Sequence, residues 1–524
     1  MRVAPPLRKA NVKHTLMNLF RCPVSCVVLI AAVACANSAP AETMLASPFT
    51  DHAVLQREIA VPVWGKATPG EAINVSFRGQ KVSTTTGANG SWAVRLAPMA
   101  ATAEGGDLIV SGASTMTLHD VVVGEVWIAS GQSNIEWPLS MARDGKADVS
   151  AANSPLIRHL KIEKTPSDLP AESVKTSGWQ TATPQTAGGF SAIGYYFAQA
   201  LAENLKVPVG IVNSSWGGTP IESWLAKPEL EKSTAWHRFE AEWKEALKVF
   251  PQKSAEYPAL DIAWRKADEE ERATGKKNVL PWPQPPVGPG TAYAPGGLFN
   301  GMILPLTPYA FRGVLWYQGE SNVGRHAEYR DLLPRMIKSW RTVWPEGDFP
   351  FFIVQIPNYA DGDPTGRKWA ELRDAQESAL KLPATAMATT IDVGDASVIH
   401  PTNKKPVGER LALIALHQIY DQRSVEWAGP TVQSIQTEGA IVRVKFTHAT
   451  GLISRKAPVS GFEVAGADKV FYRAAAAIEG DTVRVSAPKI TAPVAVRYAW
   501  TNDPPVSLYN SAGLPAAPFR SDDW

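Results

Sequence analysis

The chain has 524 residues, which at roughly 150 residues per domain suggests three to four domains. Hydrophobic residues make up 45% and charged residues 19%, a balance that excludes a disordered chain. With 52 Lys+Arg against 50 Asp+Glu, the cationic excess expected of a nucleic-acid binder is missing.

A basic flank (Arg2, Arg8, Lys9, Lys13 and Arg21) precedes an apolar run over 24–36. The small-x-small site Ala39-Pro40-Ala41 follows, so residues 1–41 read as an export signal cleaved after Ala41. The run is too short to span a bilayer comfortably. A lipoprotein attached through Cys35 is the alternative reading. The leader holds five basic residues, no acidic ones and all three cysteines, Cys22, Cys26 and Cys35. Subtracting five from 52 leaves 47 basic against 50 acidic residues in a mature chain without cysteine. An exported, periplasmic or secreted enzyme of this composition must work with a hydroxyl, a carboxylate, or a metal held by His and carboxylate.

Residues 42–118 carry short β-forming runs separated by Gly, Pro and Asn turns, as in Thr68-Pro69-Gly70 and Ala88-Asn89-Gly90. That pattern predicts an N-terminal β-sandwich. Over 119–422, apolar strand-like runs alternate with helical stretches, which predicts an α/β domain built on a mostly parallel sheet. A Glu- and Lys-rich stretch at about 228–280 reads as an inserted helical hairpin, either a lid or a solvated surface insertion. It ends in a proline-rich segment. From 423 to 524 the pattern returns to strands, giving a C-terminal β region.

Four strand ends concentrate polar residues. Gly131-Gln132-Ser133-Asn134 places a hydroxyl beside a glycine just past an apolar strand, where the Ser133 N–H can face a ligand. Gly217-Gly218-Thr219 follows a second apolar run and offers a backbone N–H from Gly218. Trp316-Tyr317-Gln318-Gly319-Glu320-Ser321-Asn322 brings an amide donor in Gln318 or Asn322 and a carboxylate in Glu320. Asp392-Val393-Gly394-Asp395-Ala396-Ser397-Val398-Ile399-His400 offers a base, His400, with Asp392 and Asp395 nearby to orient it. Nucleophile, oxyanion donors and base together are what serine hydrolysis needs without cysteine, metal or cofactor.

The sequence resembles the bacterial sialate O-acetylesterase-like carbohydrate esterases of the SGNH hydrolase group. The resemblance runs through Asp51-His52-Ala53-Val54-Leu55-Gln56-Arg57 and Gly124-Glu125-Val126-Trp127 into Gly131-Gln132-Ser133-Asn134. It continues through Asn300-Gly301-Met302-Ile303, the Trp316–Asn322 cluster, Ile399-His400-Pro401 with Lys404, and Leu508-Tyr509-Asn510. It implies an SGNH-type parallel-sheet hydrolase domain flanked by β-sandwich-like regions, Ser133 as nucleophile, His400 as base, and deacetylation of sugar esters. One departure stands out. The family pattern has an acid two residues before the histidine, in an Asp-Ile-His-Pro run, where this chain has Val398. Asp395 folding back, Glu320 from the neighbouring strand end, or a backbone carbonyl in a Ser–His dyad are the conceivable replacements.

The expected protein is therefore an exported serine esterase acting on O-acetylated oligosaccharide, with Ser133, Gly218 and Gln318 as oxyanion donors and Glu320 and Asn322 as supporting groups. The sugar is a hemicellulose such as xyloglucan or xylan, or sialic acid; water is the second substrate. The rival is a carbohydrate-binding protein on a decayed esterase scaffold.

Overall fold

The computed structural model describes residues 42–524, so the export-signal and lipoprotein readings of residues 1–41 lie outside the described residues. The strand Thr115–Gly131 (β1) organises these residues, and every residue in it from 121 to 131 is buried. A strand buried on both faces belongs in the middle of a covered sheet. β1 is joined there by Ser154–Ile162 (β2), Thr176–Ala182 (β3), Val209–Ser215 (β4), Gly313–Tyr317 (β5), Phe351–Val354 (β6) and Thr385–Ala388 (β7). The order is β3-β2-β4-β1-β5-β6-β7. Only β3 runs antiparallel to its neighbour, while the other pairs are parallel. After β1 the chain fills one side of the sheet, then crosses to β5 on the other. The carboxyl ends of β1, β4 and β5 therefore border a crevice of the kind in which α/β proteins bind ligands.

Helices cover the sheet. Ser133–Glu136 (α1) is the short helix after β1. Ala192–Leu205 (α2) packs on β2 and β4, and Lys405–Gln418 (α6) packs on β6, β7 and α2. Gly408 makes that helix crossing possible, because a Cβ there would stand 2.8 Å from the Ile193 carbonyl oxygen. The longer helices between are Trp236–Thr274 (α3), His326–Val343 (α4) and Lys368–Gln376 (α5). α4 and α5 pack on one another.

The inserted hairpin is not formed. Its span holds the four-residue helix Lys227–Leu230 and a single 39-residue helix, α3, with Pro251 and Pro258 inside it. The sequence of α3 contains no glycine or asparagine to reverse the chain. Ion pairs one turn apart, such as Lys244 with Glu240 at 3.0 Å and Arg265 with Asp261 at 2.7 Å, line its exposed surface. The chain returns through the proline-rich segment, not through a second helix.

Before β1, the strands Met44–Leu45, Val61–Lys66 and Ser91–Leu96 form one antiparallel sheet. Ala72–Phe77, Gln80–Thr85 and Thr102–Ser111 form an antiparallel set that continues onto β1. Alternate residues point inward from both: Val61, Val63, Trp92, Val94 and Leu96 from one, Ile73, Val75 and Phe77 from the other. β1 belongs to this region as well as to the parallel sheet. Its first half pairs with Thr102–Ser111 and with Val54–Gln56, its second half with β4 and β5. The boundary expected at 118/119 falls inside this continuous strand. The fully buried Glu125 reinforces the junction, pairing with Arg57 at 2.5 Å and with Arg312 at 2.9 Å.

After α6, two four-stranded antiparallel sheets enclose a second core that includes Val442, Val444, Phe446, Phe462, Val464, Val483, Val485, Val496 and Tyr498. Ile391, from the segment leading to His400, packs into this core. Among the described residues no helix is long and apolar enough to cross a membrane.

Candidate active site

The turn after β1 determines where Ser133 lies. Gly131 has φ +129°, and a Cβ there would stand 2.2 Å from the Tyr317 carbonyl oxygen at the end of β5. Only glycine lets the two strand ends approach this closely. The same carbonyl accepts the Gln132 N–H at 3.0 Å. The Gln132 side-chain oxygen then accepts the N–H groups of Gly319 and Ser321, each at 3.3 Å. Ser133 is thereby placed at the first position of α1, and no group among the described residues takes up its N–H.

Its hydroxyl meets His400, with Ser133 Oγ 2.8 Å from His400 Nε2. The imidazole lies against the Trp137 ring, centroids 5.4 Å apart and planes 27° apart. Burial and the nearby Lys404 cation hold the His400 pKa below its ordinary value. The ring is therefore kept neutral, able to accept the Ser133 proton at Nε2.

The Gly217-Gly218-Thr219 turn approaches from β4. A Cβ on Gly217 would be 3.1 Å from the Ser133 Cβ. The Gly217 N–H is spent on Glu136 Oε2 at 2.7 Å, and Glu136 is held in turn by Lys164 at 2.6 Å. Gly218, with φ +78°, keeps its N–H free of partners among the described residues. The strand end of β4 thus supplies one unpaired backbone donor beside the one on Ser133.

Gln318 does not join them. Its side chain is fully buried, and its Nε2 hydrogens go to Asn322 Oδ1 at 2.7 Å and to the Thr219 carbonyl at 3.3 Å. Both donors are used, so Gln318 braces the glycine turn from beneath and has no donor left for an oxyanion. Asn322 also lies beneath, accepting from the Ile221 N–H at 3.0 Å and donating to the buried Glu222 at 2.9 Å.

No carboxylate among the described residues hydrogen-bonds the His400 ring. Asp395 folds into its own turn. Its Oδ1 accepts from the Ser397 N–H at 2.8 Å and the Ser397 hydroxyl at 2.7 Å, which holds the carboxyl below its usual pKa. A short acidic side chain readily caps its own backbone two residues on, and that closure directs it away from the histidine. Asp392 is taken by Arg410 through two bonds of 2.6 and 2.7 Å. Glu320 accepts from Asn134 Nδ2 at 2.6 Å. Asp395→Asn should therefore lower turnover by less than about tenfold, against the roughly 10⁴ expected of a true triad acid. Initial rates on a chromogenic acetyl ester check this, and a collapse in a folded variant would restore Asp395 as the acid.

Gln132, Asn134, Lys404 and Trp137 have roles here that the sequence alone does not reveal. The first three stand in motifs already singled out, but their roles depend on contacts between strand ends far apart in the chain. Among the described residues no group of three or more His, Cys, Asp or Glu side chains is placed to hold a metal ion.

The family model described as carbohydrate esterase, sialic acid-specific acetylesterase matches residues 123–254 and 298–417. The crystal structure of a carbohydrate acetylesterase from Xanthomonas citri is 36% identical, superposes with a TM-score of 0.78, and covers 92% of this chain and 100% of its own. The chain belongs to this carbohydrate esterase family. The sialate O-acetylesterases of Mus musculus and Homo sapiens are each 28% identical to it. They align over 95% and 90% of this chain and over 97% and 91% of their own lengths. The esterase is thus a carbohydrate O-acetylesterase with a mixed α/β fold, and acetylated carbohydrate and water are its substrates.

Proposed function

We propose that the esterase is an exported serine hydrolase that removes O-acetyl groups from hemicellulose oligosaccharide through an acyl-enzyme, using Ser133 and His400 as a dyad. The 2.8 Å contact between Ser133 Oγ and His400 Nε2 carries the reading. Ser133 attacks the acetyl carbonyl while His400 Nε2 takes its proton. The N–H groups of Ser133 and Gly218 receive the oxyanion, as preorganised backbone donors do in acyl transfer. His400 then passes the proton to the departing sugar oxygen. A water molecule, deprotonated by the same nitrogen, attacks the acetyl-Ser133 ester and frees acetate. Every step uses groups of this chain and water, with no cofactor.

The surroundings of Ser133 favour a neutral sugar over sialic acid. The Trp137 ring lies against His400, Trp216 donates its backbone N–H to the Gly131 carbonyl at 3.0 Å, and the Tyr293 hydroxyl lies 3.6 Å from where a Gly218 Cβ would stand. All three rings are partly exposed. Aromatic planes suit the C–H faces of pyranose rings, while sialic acid brings a carboxylate that calls for an unpaired cation. Lys164, set over the Trp216 ring, is already neutralised by Glu136. Acetate release from acetylated xyloglucan and xylan oligosaccharides should exceed that from O-acetylated sialic acid at equal concentration, measured by mass spectrometry. The reverse order would assign sialic acid as the substrate. Saturable binding of all of these without acetate release would favour the binding-protein reading.

A further inference from the structure

Directly beneath the dyad lies a buried charged cluster that the proton transfers above do not use. Asn134, Glu320 and Lys404 are 0%, 8% and 1% exposed. They come from three separate elements: α1, the segment after β5, and the residue capping α6. The Asn134 amide joins them. Its Nδ2 donates to Glu320 Oε1 at 2.6 Å and to the Ile399 carbonyl at 3.2 Å, and its Oδ1 accepts from Lys404 Nζ. Ser133 is the residue before Asn134, and His400 is the residue after Ile399. One side-chain amide thus links the nucleophile's turn to the base's loop.

We propose that Lys404, through Asn134 and Glu320, is a positioning residue for the Ser133–His400 pair and takes over the orienting work of the absent triad acid. In a triad, a carboxylate hydrogen-bonded to Nδ1 fixes the ring from behind. Here the loop bearing the ring is fixed instead, by the Ile399 carbonyl bond and by Lys404 anchored four residues beyond His400. Trp137 completes the arrangement: its ring lies against the imidazole, and Lys404 Nζ stands 5.6 Å from its centroid. Burying a lysine and a glutamate away from water is costly unless the charges are compensated. Burial raises the Glu320 carboxyl, and backbone N–H groups, the Asn134 amide and the Lys404 cation work against that shift, while Oε2 has no hydrogen-bond partner. A fold that bears this cost under its nucleophile gains a fixed separation between the two strand ends.

The titratable groups facing Lys404 are Glu320 and Tyr317 from the β5 end and His400 from its own loop. Tyr317 is held neutral by burial, which pushes its phenol well above the ordinary value. Burial brings Lys404 down to about 7, with Glu320 acting in the opposite direction. Lys404 is therefore cationic over the acidic range in which His400 titrates. A cation there opposes imidazolium formation, so removing it must raise the His400 pKa.

The inference rests on the Ser133–His400 reading, and the experiment separates the two. Full pH profiles of kcat/KM and kcat are measured on an acetyl ester for the wild type, Lys404→Met, Lys404→Gln and Ser133→Ala. Lys404→Met removes charge and hydrogen bond together. Its acidic limb should move to higher pH by about half a unit or more, with kcat falling about tenfold or more and KM little changed. Lys404→Gln keeps a donor for Asn134, so the limb should move likewise while kcat falls less. Should Lys404→Met fail to fold, Lys404→Gln decides through its limb. An unmoved limb, or failure of both variants to fold, would overturn the positioning role and leave Lys404 a purely structural residue. Activity surviving in Ser133→Ala would overturn the dyad itself, whatever the Lys404 variants do.

Discussion

Ser133→Ala and His400→Ala are each expected to lower turnover by on the order of 10⁴ to 10⁶ while the protein stays folded. In the proposed mechanism Ser133 supplies the attacking oxygen, and alanine leaves no atom to take its place. Among the described residues His400 supplies the only imidazole nitrogen within hydrogen-bond distance of that oxygen. Both residues are only partly buried, so truncation opens no closed cavity in the core. The Ser133 hydroxyl bonds only to His400, and the His400 ring only to Ser133, among the described residues. Neither change therefore strands a buried polar group. Initial rates on a chromogenic acetyl ester, with circular dichroism to confirm the fold, provide the check. Either variant retaining a tenth of wild-type turnover would remove that residue from the mechanism.

Gly131→Ala is expected to do the next largest harm, by another route. The added methyl would meet the Tyr317 carbonyl oxygen at 2.2 Å and its carbonyl carbon at 2.7 Å. Both atoms belong to the backbone at the end of β5, adjacent to β1 in the sheet, so neither can move without disturbing that pairing. The φ of +129° adds strain that a side chain worsens. Overpacking and strain together should cost roughly 2 to 5 kcal/mol of stability. Ser133 lies two residues further on, and a displacement of about 1 Å at a nucleophile costs on the order of 10²-fold in rate. Urea unfolding and kcat should fall together, with KM moving less. A variant as stable and active as the wild type would show that the turn is not fixed by this contact.

How far the sequence could be read depends on whether a feature is local. The run from 121 to 131 is apolar but for Glu125 and Ser130, and so apolar a stretch leaves few options besides a central strand. The Ser133 turn carries its own marker in Gly131. Ser133 and His400 could be paired because each lies in a polar segment that follows an apolar run, and both stand in motifs that carry the family resemblance. Asp395 stands level with the dyad as a replacement by proximity in sequence, but proximity says nothing about which way a turn closes, and Ser397 captures the carboxylate. Gln318 failed for a similar reason: a buried amide satisfies its nearest acceptors, and those come from Thr219 and Asn322. The hairpin expected in the insertion rested on composition alone, whereas helix continuity through Pro251 and Pro258 depends on the neighbouring turns. The roles of Asn134 and Lys404 were beyond reach because one contact spans 270 positions in the chain.

The double membership of β1 bears on how the molecule could be cut or recombined. A fragment starting at residue 119 would retain the Ser133 turn and every strand of the parallel sheet beyond it. It would also strip the amino-terminal part of β1 of both neighbours, Val54–Gln56 and Thr102–Ser111. The result is a bare apolar edge, Val121-Val122-Val123, in the same strand that leads to the Ser133 turn, and such edges recruit other chains. Glu125 would lose Arg57 and keep only Arg312, leaving a fully buried carboxylate half compensated. The amino-terminal strands thus act less as an accessory module than as the outer wall of the catalytic sheet. Grafting a different sugar-binding module in their place would require replacing the first half of β1 as well.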